Sequence, residues 1–444
     1  MVTVRLLAAT LALVLLCVLL GCTTTVDGEG AEGERGAADE RAPVAGPEGG
    51  APEGRWRPAT SDSLPFAGKL SEEQLAEVER LRSIGYMAGS RPAGYEKGVV
   101  AHDRSRACPG LNLYTSGHFP GAVLMDMDGS VLHLWERSFR DVWPDDAKGA
   151  GSEGAGYWRH VHLFPNGDVL AIFEGLGLVK LDRDSRVLWS HAGGEHHDLK
   201  VYETGHIFVL TREIVLDPRV SSEHPILEDS VTVLDSDGRE VTSVSVLSAM
   251  GNSEYLHLLA GMKAGGDVFH TNAIEILDGS LADVAPGLAE GNVLLSLRKL
   301  SLLIAVNLRT GLAEWALEGS WRKQHDPSVL ANGNVLLFDN NGGENGASRV
   351  IEINPASGDV EWSYDGEPSN ILYSQMCGAA TRLANGNTLA TESDAGRAVE
   401  VTPDGEIVWD YRNPERAGED GEFVATLFEV TRLPGDFPLG WLTR

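Results

Sequence analysis

Two short strand-turn-strand phrases alternate along the chain, and their alternation constrains the fold more than any other feature. The first is a strand, an acidic turn and a second strand that often ends in Trp. It occurs as LMDMDGSVLHLW (124–135), VKLDRDSRVLW (179–189), VTVLDSDGREVTSV (231–244), IAVNLRTGLAEW (304–315), VIEINPASGDVEW (350–362) and AVEVTPDGEIVW (398–409). The second turns on Asn-Gly or a similar pair: VHLFPNGDVLAIF (161–173), LKVYETGHIFVL (199–210), an interrupted copy at 273–277 plus 291–297, VLANGNVLLF (329–338), TRLANGNTLAT (381–391) and a weak copy, VTRLPGDF (430–437). Asn-Gly and Asp-Gly between alternating apolar residues are strong hairpin signals, because both turn residues tolerate positive φ. Two hairpins make one four-stranded blade, and a period of this kind in strand-like sequence points to a β-propeller. The segment starts with the outer hairpin at 124–135 and finishes with an inner one at 430–437. Those two halves complete one blade, so the expectation is an all-β, six-bladed propeller closed by its N- and C-terminal strands. Seven blades or an open sandwich is the alternative.

Composition agrees with this reading. The 444 residues include 52 Gly, well above the ordinary share of ~7%, which suits many tight turns and disfavours a mostly helical chain. With 36 Lys+Arg against 65 Asp+Glu the formal charge is −29, and no basic face is available to neutralise phosphates. Nucleic acid is therefore not an expected partner.

Before the repeat the chain has three other characters. Residues 1–21 carry Arg5, an apolar run from Leu6 to Leu20 and then Gly21-Cys22, the pattern of a bacterial lipoprotein signal cleaved before a lipidated Cys22. Cys17 leaves with the signal. An ordinary secretory signal or an uncleaved anchor helix is the other reading. Thr23 rather than Asp after the cysteine directs the expectation to the outer membrane, facing the periplasm. Residues 22–66 are rich in Gly, Glu, Ala and Pro and read as a disordered tether. Within 67–110, a short helix and lead-in, Ser71 and Gln74 form a capping box, Leu70 and Leu75 a staple, and Gly85 a stop. Leu75, Val78 and Leu81 make a stripe that docks on the domain formed by 111–444. Cys108 and Cys377 would face an oxidising compartment, and their pairing is left open.

The chemistry-bearing residues gather at one end of the hairpins. His197 lies eight residues before turn Gly205, and His325 eight before Gly333, so the two occupy equivalent places in two blades. Each is followed by Asp (Asp198 and Asp326), which orients an imidazole only if folded beside it. The interrupted blade supplies His270, and Arg298 and Arg212 each lie seven residues after their turn glycines, Gly291 and Gly205. A hairpin that deep returns to the end where it began. These residues are thus expected at one mouth of the central channel, with His160, His162 and His196 as further candidates and Glu174, Asp339 and Asn340 nearby. For each alone, a satisfied polar residue at a strand end is the ordinary reading. Together they suit either a metal site or an oxyanion site with a nucleophilic imidazole. Arg298 argues against metal, because a guanidinium matches tetrahedral oxyanions and does not ligate cations.

The runs GLNLYTSGHFPGAVLMDMDGSVLHLW, HHDLKV, FHTNAIEIL, GNVLLSLR, QHDPSVLANGNVLLFDN, ASRVIEI, NGNTLATESDAGRAVEV and GEIVWDY, over about 111 to 411, resemble the bacterial arylsulfotransferases of the aryl-sulfate sulfotransferase type. The resemblance implies a six-bladed propeller that moves a sulfuryl group from a phenolic sulfate ester to another phenol without a nucleotide cofactor. It implies a transiently sulfated nucleophile at His325, with His197, His270 and Arg298 at sulfuryl-binding and acid–base positions. In the resulting scheme Arg298 and His270 stabilise the sulfuryl oxygens and His197 handles the proton. The partners are then small phenols and aryl sulfates, and no cofactor or metal is implied.

Three departures stand out. A segment at 278–290 lengthens the interval from His270 to Arg298 and reads as a rim loop over the channel; the close-spaced cysteine pair of some family members is missing between Arg298 and His325; and no separate N-terminal β-domain precedes the repeat. Trp158, Trp321 and Tyr373 read as blade packing or as lining for an aromatic substrate. The alternatives from other classes are a non-catalytic ligand- or protein-binding propeller and a metal-dependent hydrolase.

Overall fold

A computed structural model describes residues 71–82, 91–367, 370–418 and 420–442. The signal, Cys17, Cys22, the tether, Leu70 and Gly85 lie outside them. Among the described residues no helix is long and apolar enough to cross a membrane.

The repeat folds as six antiparallel blades. Blade 1 is Trp158–Leu163, Val169–Phe173, Gly177–Leu181 and Val187–His191; blade 2 is Glu195–Val201, Ile207–Val215, Ile226–Leu234 and Glu240–Ser245. Blade 3 runs Thr271–Ile276, Val293–Leu297, Leu302–Asn307 and Leu312–Glu318; blade 4 runs His325–Val329, Val335–Asp339, Arg349–Ile353 and Val360–Tyr364. Blade 5 is Ala379–Arg382, Thr388–Glu392, Arg397–Val401 and Ile407–Arg412, with Gly98–His102 from the lead-in as a fifth, outer strand. In blade 6 the C-terminal Leu427–Pro434 is innermost and pairs with Gly110–Ser116, followed by Gly121–Met125 and Val131–Glu136. The expected division of that blade into two hairpins is corrected. Residues 427–434 form one strand, and 110–116 supply the partner that 435–437 were expected to provide.

Each sequence phrase has a visible purpose. The inner hairpins turn at glycines in the left-handed region, such as Gly167 (φ 90°) and Gly333 (φ 86°), where a side chain would be strained. The recurring Trp joins blades. Its indole N–H donates to a turn carbonyl of the following blade: Trp135 to Gly167, Trp189 to Ser236, Trp362 to Pro403 and Trp409 to Met127. Trp135 and Trp409 are fully buried in doing so. Apolar clusters fill the spaces between neighbouring blades, for example Leu336, Phe338 and Val350 of blade 4 against Ala390 and Val399 of blade 5.

The two faces of the propeller differ. Tight turns dominate one face. The other carries the long connections 137–157, 216–225, 246–270, 340–348, 365–378 and 413–426. The insertion at 278–290 joins the first two strands of blade 3 and so sits on the turn face, opposite the ends where His270 and Arg298 lie. It is not a rim loop over the histidine mouth. Leu281 and Leu288 are buried in a cluster with Leu294 and Trp315 of blade 3 and Val335 and Leu337 of blade 4, so the loop extends the apolar layer between these two blades.

The helix Glu72–Arg82 has the expected capping box, with Gln74 N–H donating to Ser71 Oγ at 3.1 Å and Ser71 N–H to Gln74 Oε1 at 2.9 Å. Val78 is buried, and Gln74 Nε2 donates to the Glu223 carbonyl at 2.7 Å, which docks the helix on blade 2. Cys108 and Cys377 are both buried. Cys108 precedes blade 6 on the turn face and Cys377 precedes blade 5 on the loop face, so the fold keeps them apart.

Candidate functional site

The first strand of a blade faces the central axis, and in blades 1 to 4 it is irregular at the loop-face end. The ladder slips between Trp158 and Val161, Glu195 and Leu199, Thr271 and Ile274, and His325 and Ser328, each time with more residues on the inner strand than on its partner. Such bulges re-aim side chains. They set His197 at φ 57° and Asp326 at φ 51°, and His270, just before the bulged stretch of blade 3, is at φ 52°, left-handed values that cost a non-Gly residue about 1–3 kcal/mol each.

His325 is defined by what surrounds its two nitrogens. Nδ1 lies 2.7 Å from Asn340 Oδ1 and 3.1 Å from the Lys323 carbonyl. The Asn340 amide is oriented by its own donors, since Nδ2 gives hydrogen bonds to the carbonyls of Ser374 at 2.7 Å and Cys377 at 2.8 Å. Both groups at Nδ1 are thus acceptors, Nδ1 carries the proton, and Nε2 is left with its lone pair. Nε2 is buried with no hydrogen-bond partner. Burial, with the Arg298 guanidinium second, holds the ring well below its ordinary pKa, so it is neutral at pH 7. A neutral imidazole with one unengaged nitrogen is a nucleophile.

The other expected site residues converge on it. The rings of His197 and His270 are 5.0 Å apart, and His197 lines the same cavity as His325. Arg298 follows the second strand of blade 3; its backbone N–H donates to the His270 carbonyl, and its Nη2 reaches the Gln375 carbonyl at 3.4 Å. His197, His270, Arg298 and His325 are all at least nine-tenths buried. Arg298 also helps depress His270, whose pKa falls to about 4, chiefly through burial and against the pull of Asp267.

Asp267 carries no signal of its own in the repeat. It is placed by Gly266–Asp267, which pairs in parallel with Ile226–Leu234 of blade 2, and its Oδ2 accepts from His270 Nδ1 at 2.6 Å. Arg159, beside His160, is a second residue the repeat does not mark; it lines the cavity and adds to the burial that lowers His197.

The aspartates of the His-Asp pairs act elsewhere. Asp198 Oδ2 accepts from the Ile274 N–H at 3.0 Å, and Asp326 Oδ2 from the Ala380 N–H at 2.9 Å, each reaching the next inner strand. An inner strand has no neighbour on its axial side, so its N–H groups need such acceptors. Asp326 therefore does not set the tautomer of His325; Asn340 does. Gln324 is likewise structural, with Nε2 reaching Ser296 Oγ at 3.1 Å and the Leu302 carbonyl at 3.1 Å while its own carbonyl accepts from Asn272 Nδ2 at 2.8 Å.

His196 and His197 share one proton between Nδ1 atoms 2.8 Å apart, and Glu174 Oε2 accepts from the His197 N–H at 3.0 Å. Glu174, His196 and His197 bring ligand-type atoms within 4.8 Å of one another. Two guanidiniums already flank Glu174, with Arg159 Nε at 3.7 Å and Arg212 Nη1 at 3.9 Å, so the group does not suit a cation. Asp339 holds Arg349 at 2.8 Å and the Arg322 N–H at 2.8 Å, in the wall of blade 4. Trp158 and Trp321 are fully buried core residues, and Tyr373 stacks under Arg91 with 4.9 Å from guanidinium to ring centre. His160 and His162 lie on the inner strand of blade 1; His160 faces the cavity and His162 meets Phe164 edge-on, with ring centres 4.8 Å apart.

Solved structures similar to this chain include a protein of unknown function from Bacteroides caccae, 14% identical, covering 72% of this chain and 99% of that one with a TM-score of 0.46. A streptogramin B lyase is 12% identical over 78% and 96% of the two chains, with a TM-score of 0.41. Virginiamycin B lyase from Staphylococcus aureus is 10% identical over 57% and 69%, with a TM-score of 0.35. No curated protein matches. A family model for arylsulfotransferase (ASST) matches residues 160–414, more than half of the chain, and the protein belongs to the arylsulfotransferase family.

Proposed function

We propose that this protein transfers a sulfuryl group from a phenolic sulfate ester to a phenolic acceptor through a sulfohistidine at His325. One observation carries the proposal: His325 presents a buried, unpartnered Nε2 lone pair while Asn340 and the Lys323 carbonyl hold the proton on Nδ1. Nε2 attacks sulfur, the S–N bond forms as the S–O bond to the aryl group breaks, and the phenolate leaves with the bonding pair. The acceptor oxygen then attacks the same sulfur, and the S–N bond returns its pair to Nε2. Arg298, whose charge acts on both His325 and His270, stabilises the equatorial oxygens in each transition state. In this scheme His270 assists Arg298 at the equatorial oxygens and His197 serves the leaving and incoming oxygens. His270 is steadied by Asp267 at 2.6 Å, and His197 shares its proton with His196.

Steady-state kinetics test this reading. Varying an aryl sulfate donor against a phenol acceptor should give parallel double-reciprocal lines, and Arg298→Lys should lower kcat by about 10²-fold with KM much less changed. Intersecting lines would mean direct transfer and would remove the covalent step; no phenol release from any donor would favour a binding propeller of the cell envelope.

The same proposal extends to location and assembly. Lipidation at Cys22 would tether the propeller to the outer membrane, and metabolic labelling with a radioactive fatty acid should mark the protein and be lost in Cys22→Ala. The pairing of Leu427–Pro434 with Gly110–Ser116 would close the ring.

A further inference from the structure

Sulfuryl transfer through a histidine separates two proton movements in time. The departing phenolate gains a proton in the first half-reaction, and the acceptor phenol loses one in the second. The site imidazoles are poor reservoirs for it. His197 and His325 lie well below their ordinary pKa because they are buried, with Arg159 and Arg298 respectively as the next cause, and His270 is near 4. At neutral pH each holds only the proton that fixes its tautomer.

Behind them lies a cavity of about 30 Å³, space for about two waters. His197 and His325 form one part of its wall. His160, Asp198, Asp326 and Glu429, from the inner strands of blades 1, 2, 4 and 6, form another. His160 joins two of them, with Nδ1 2.9 Å from Glu429 Oε2 and Nε2 3.7 Å from Asp198 Oδ1, and Asp326 shares the cavity wall with all three. Asp198 Oδ1 is buried without a hydrogen bond, with Lys200 Nζ at 3.6 Å.

We propose that His160 and Asp326, flanked in the cavity wall by Glu429 and Asp198, store and return the proton that the two half-reactions exchange, passing it through cavity water and His197. This rests on the sulfuryl-transfer reading. In the first half-reaction the phenolate oxygen gains a proton as its S–O bond breaks, and the store is left one proton poorer. In the second, the acceptor hydroxyl gives up its proton as its oxygen bonds to sulfur, and the store is refilled. The protonation tendencies agree with that task. Burial pulls His160 down, but Glu429 and Asp198 outweigh it and leave the ring raised. Burial and Glu429 push Asp326 up to about 7 against Lys200. Glu429 drops to about 2 because His160 and Lys200 overcome its burial, so it stays ionised and serves as the counter-ion that keeps the proton on His160. Glu275 also faces Lys200, and Arg159 lines the cavity.

The test is single-turnover phenol release by the full protein from 4-nitrophenyl sulfate and from phenyl sulfate, with His160→Gln and Asp326→Asn beside the unaltered protein. Nitrophenolate leaves without help, whereas phenolate needs the proton. Each variant should lose about 30-fold with phenyl sulfate and less than about 3-fold with nitrophenyl sulfate. Deuterium oxide should slow the unaltered protein about 2-fold with phenyl sulfate and little with the nitrophenyl donor, a reading independent of whether a variant folds. Equal losses with both donors, or no isotope effect with phenyl sulfate, would overturn the store. If the unaltered protein forms no sulfated adduct with either donor, the sulfuryl-transfer reading falls first and the store with it.

Discussion

At the scale of single residues the nucleophile is made by a neighbour. Asn340 accepts the Nδ1 proton of His325, and its own amide is clamped by two carbonyls, so the ring cannot exchange its tautomer without breaking a buried hydrogen bond. Asn340→Leu should lower kcat for sulfuryl transfer by about 10²-fold while the donor KM changes little, because the lone pair would no longer be held on Nε2. The pH dependence follows in sign. The folded pKa of His325 lies well below 6.5, so the reactive neutral form persists on acidification and kcat/KM for the donor should not fall where an ordinary imidazole protonates, at about 6.5. Asn340→Asp places a carboxylate on Nδ1, which favours the protonated ring and should move the acid limb upward. An unchanged pH profile in that variant would remove the direct link between Asn340 and the reacting ring.

Elements show where sequence is legible. The Asn-Gly hairpins and the recurring Trp can be read directly, because turn chemistry and indole burial are local demands, and the interrupted blade 3 hairpin forms despite its insertion. The bulges cannot be read that way. Nothing local in His197-Asp198 or His325-Asp326 says that the carboxylate turns from its own imidazole to the N–H of the next strand. Asp267 was hidden for a related reason: its position comes from a parallel contact with a distant strand of blade 2. Gln324 illustrates the cost of such junctions. Gln324→Met would leave the Leu302 carbonyl and Ser296 Oγ without their donor, and should destabilise the protein by about 2 kcal/mol, read as a lower urea midpoint. Because the next residue is His325, kcat should fall as well.

The whole molecule brings all six blades to the cavity at one mouth, and the convergence of blades 2, 3 and 4 was legible from equal offsets to the turn glycines. The last blade was less legible, because its inner strand comes from 427–434 and its partner from 110–116, far apart in sequence. Deleting residues 427–444 should abolish cooperative unfolding, since it strips the inner strand of blade 6 and exposes Leu113, Tyr114 and Tyr157, which are buried against it. Stability should also carry the mark of the buried histidines. For His270 the folded pKa is about 4, so between about 6.5 and 4 the unfolded chain binds more protons and stability falls as pH falls through that window. His270→Asn should flatten that acid slope in urea melts at several pH values.

The most direct test of the central claim is intact-mass analysis of the protein mixed rapidly with an aryl sulfate and no acceptor. A mass increase of ~80 Da, mapped to His325, lost on addition of phenol and absent from His325→Ala, is the expected result. Phenol release with no added mass, or an adduct that persists in His325→Ala, would contradict a sulfohistidine at this position.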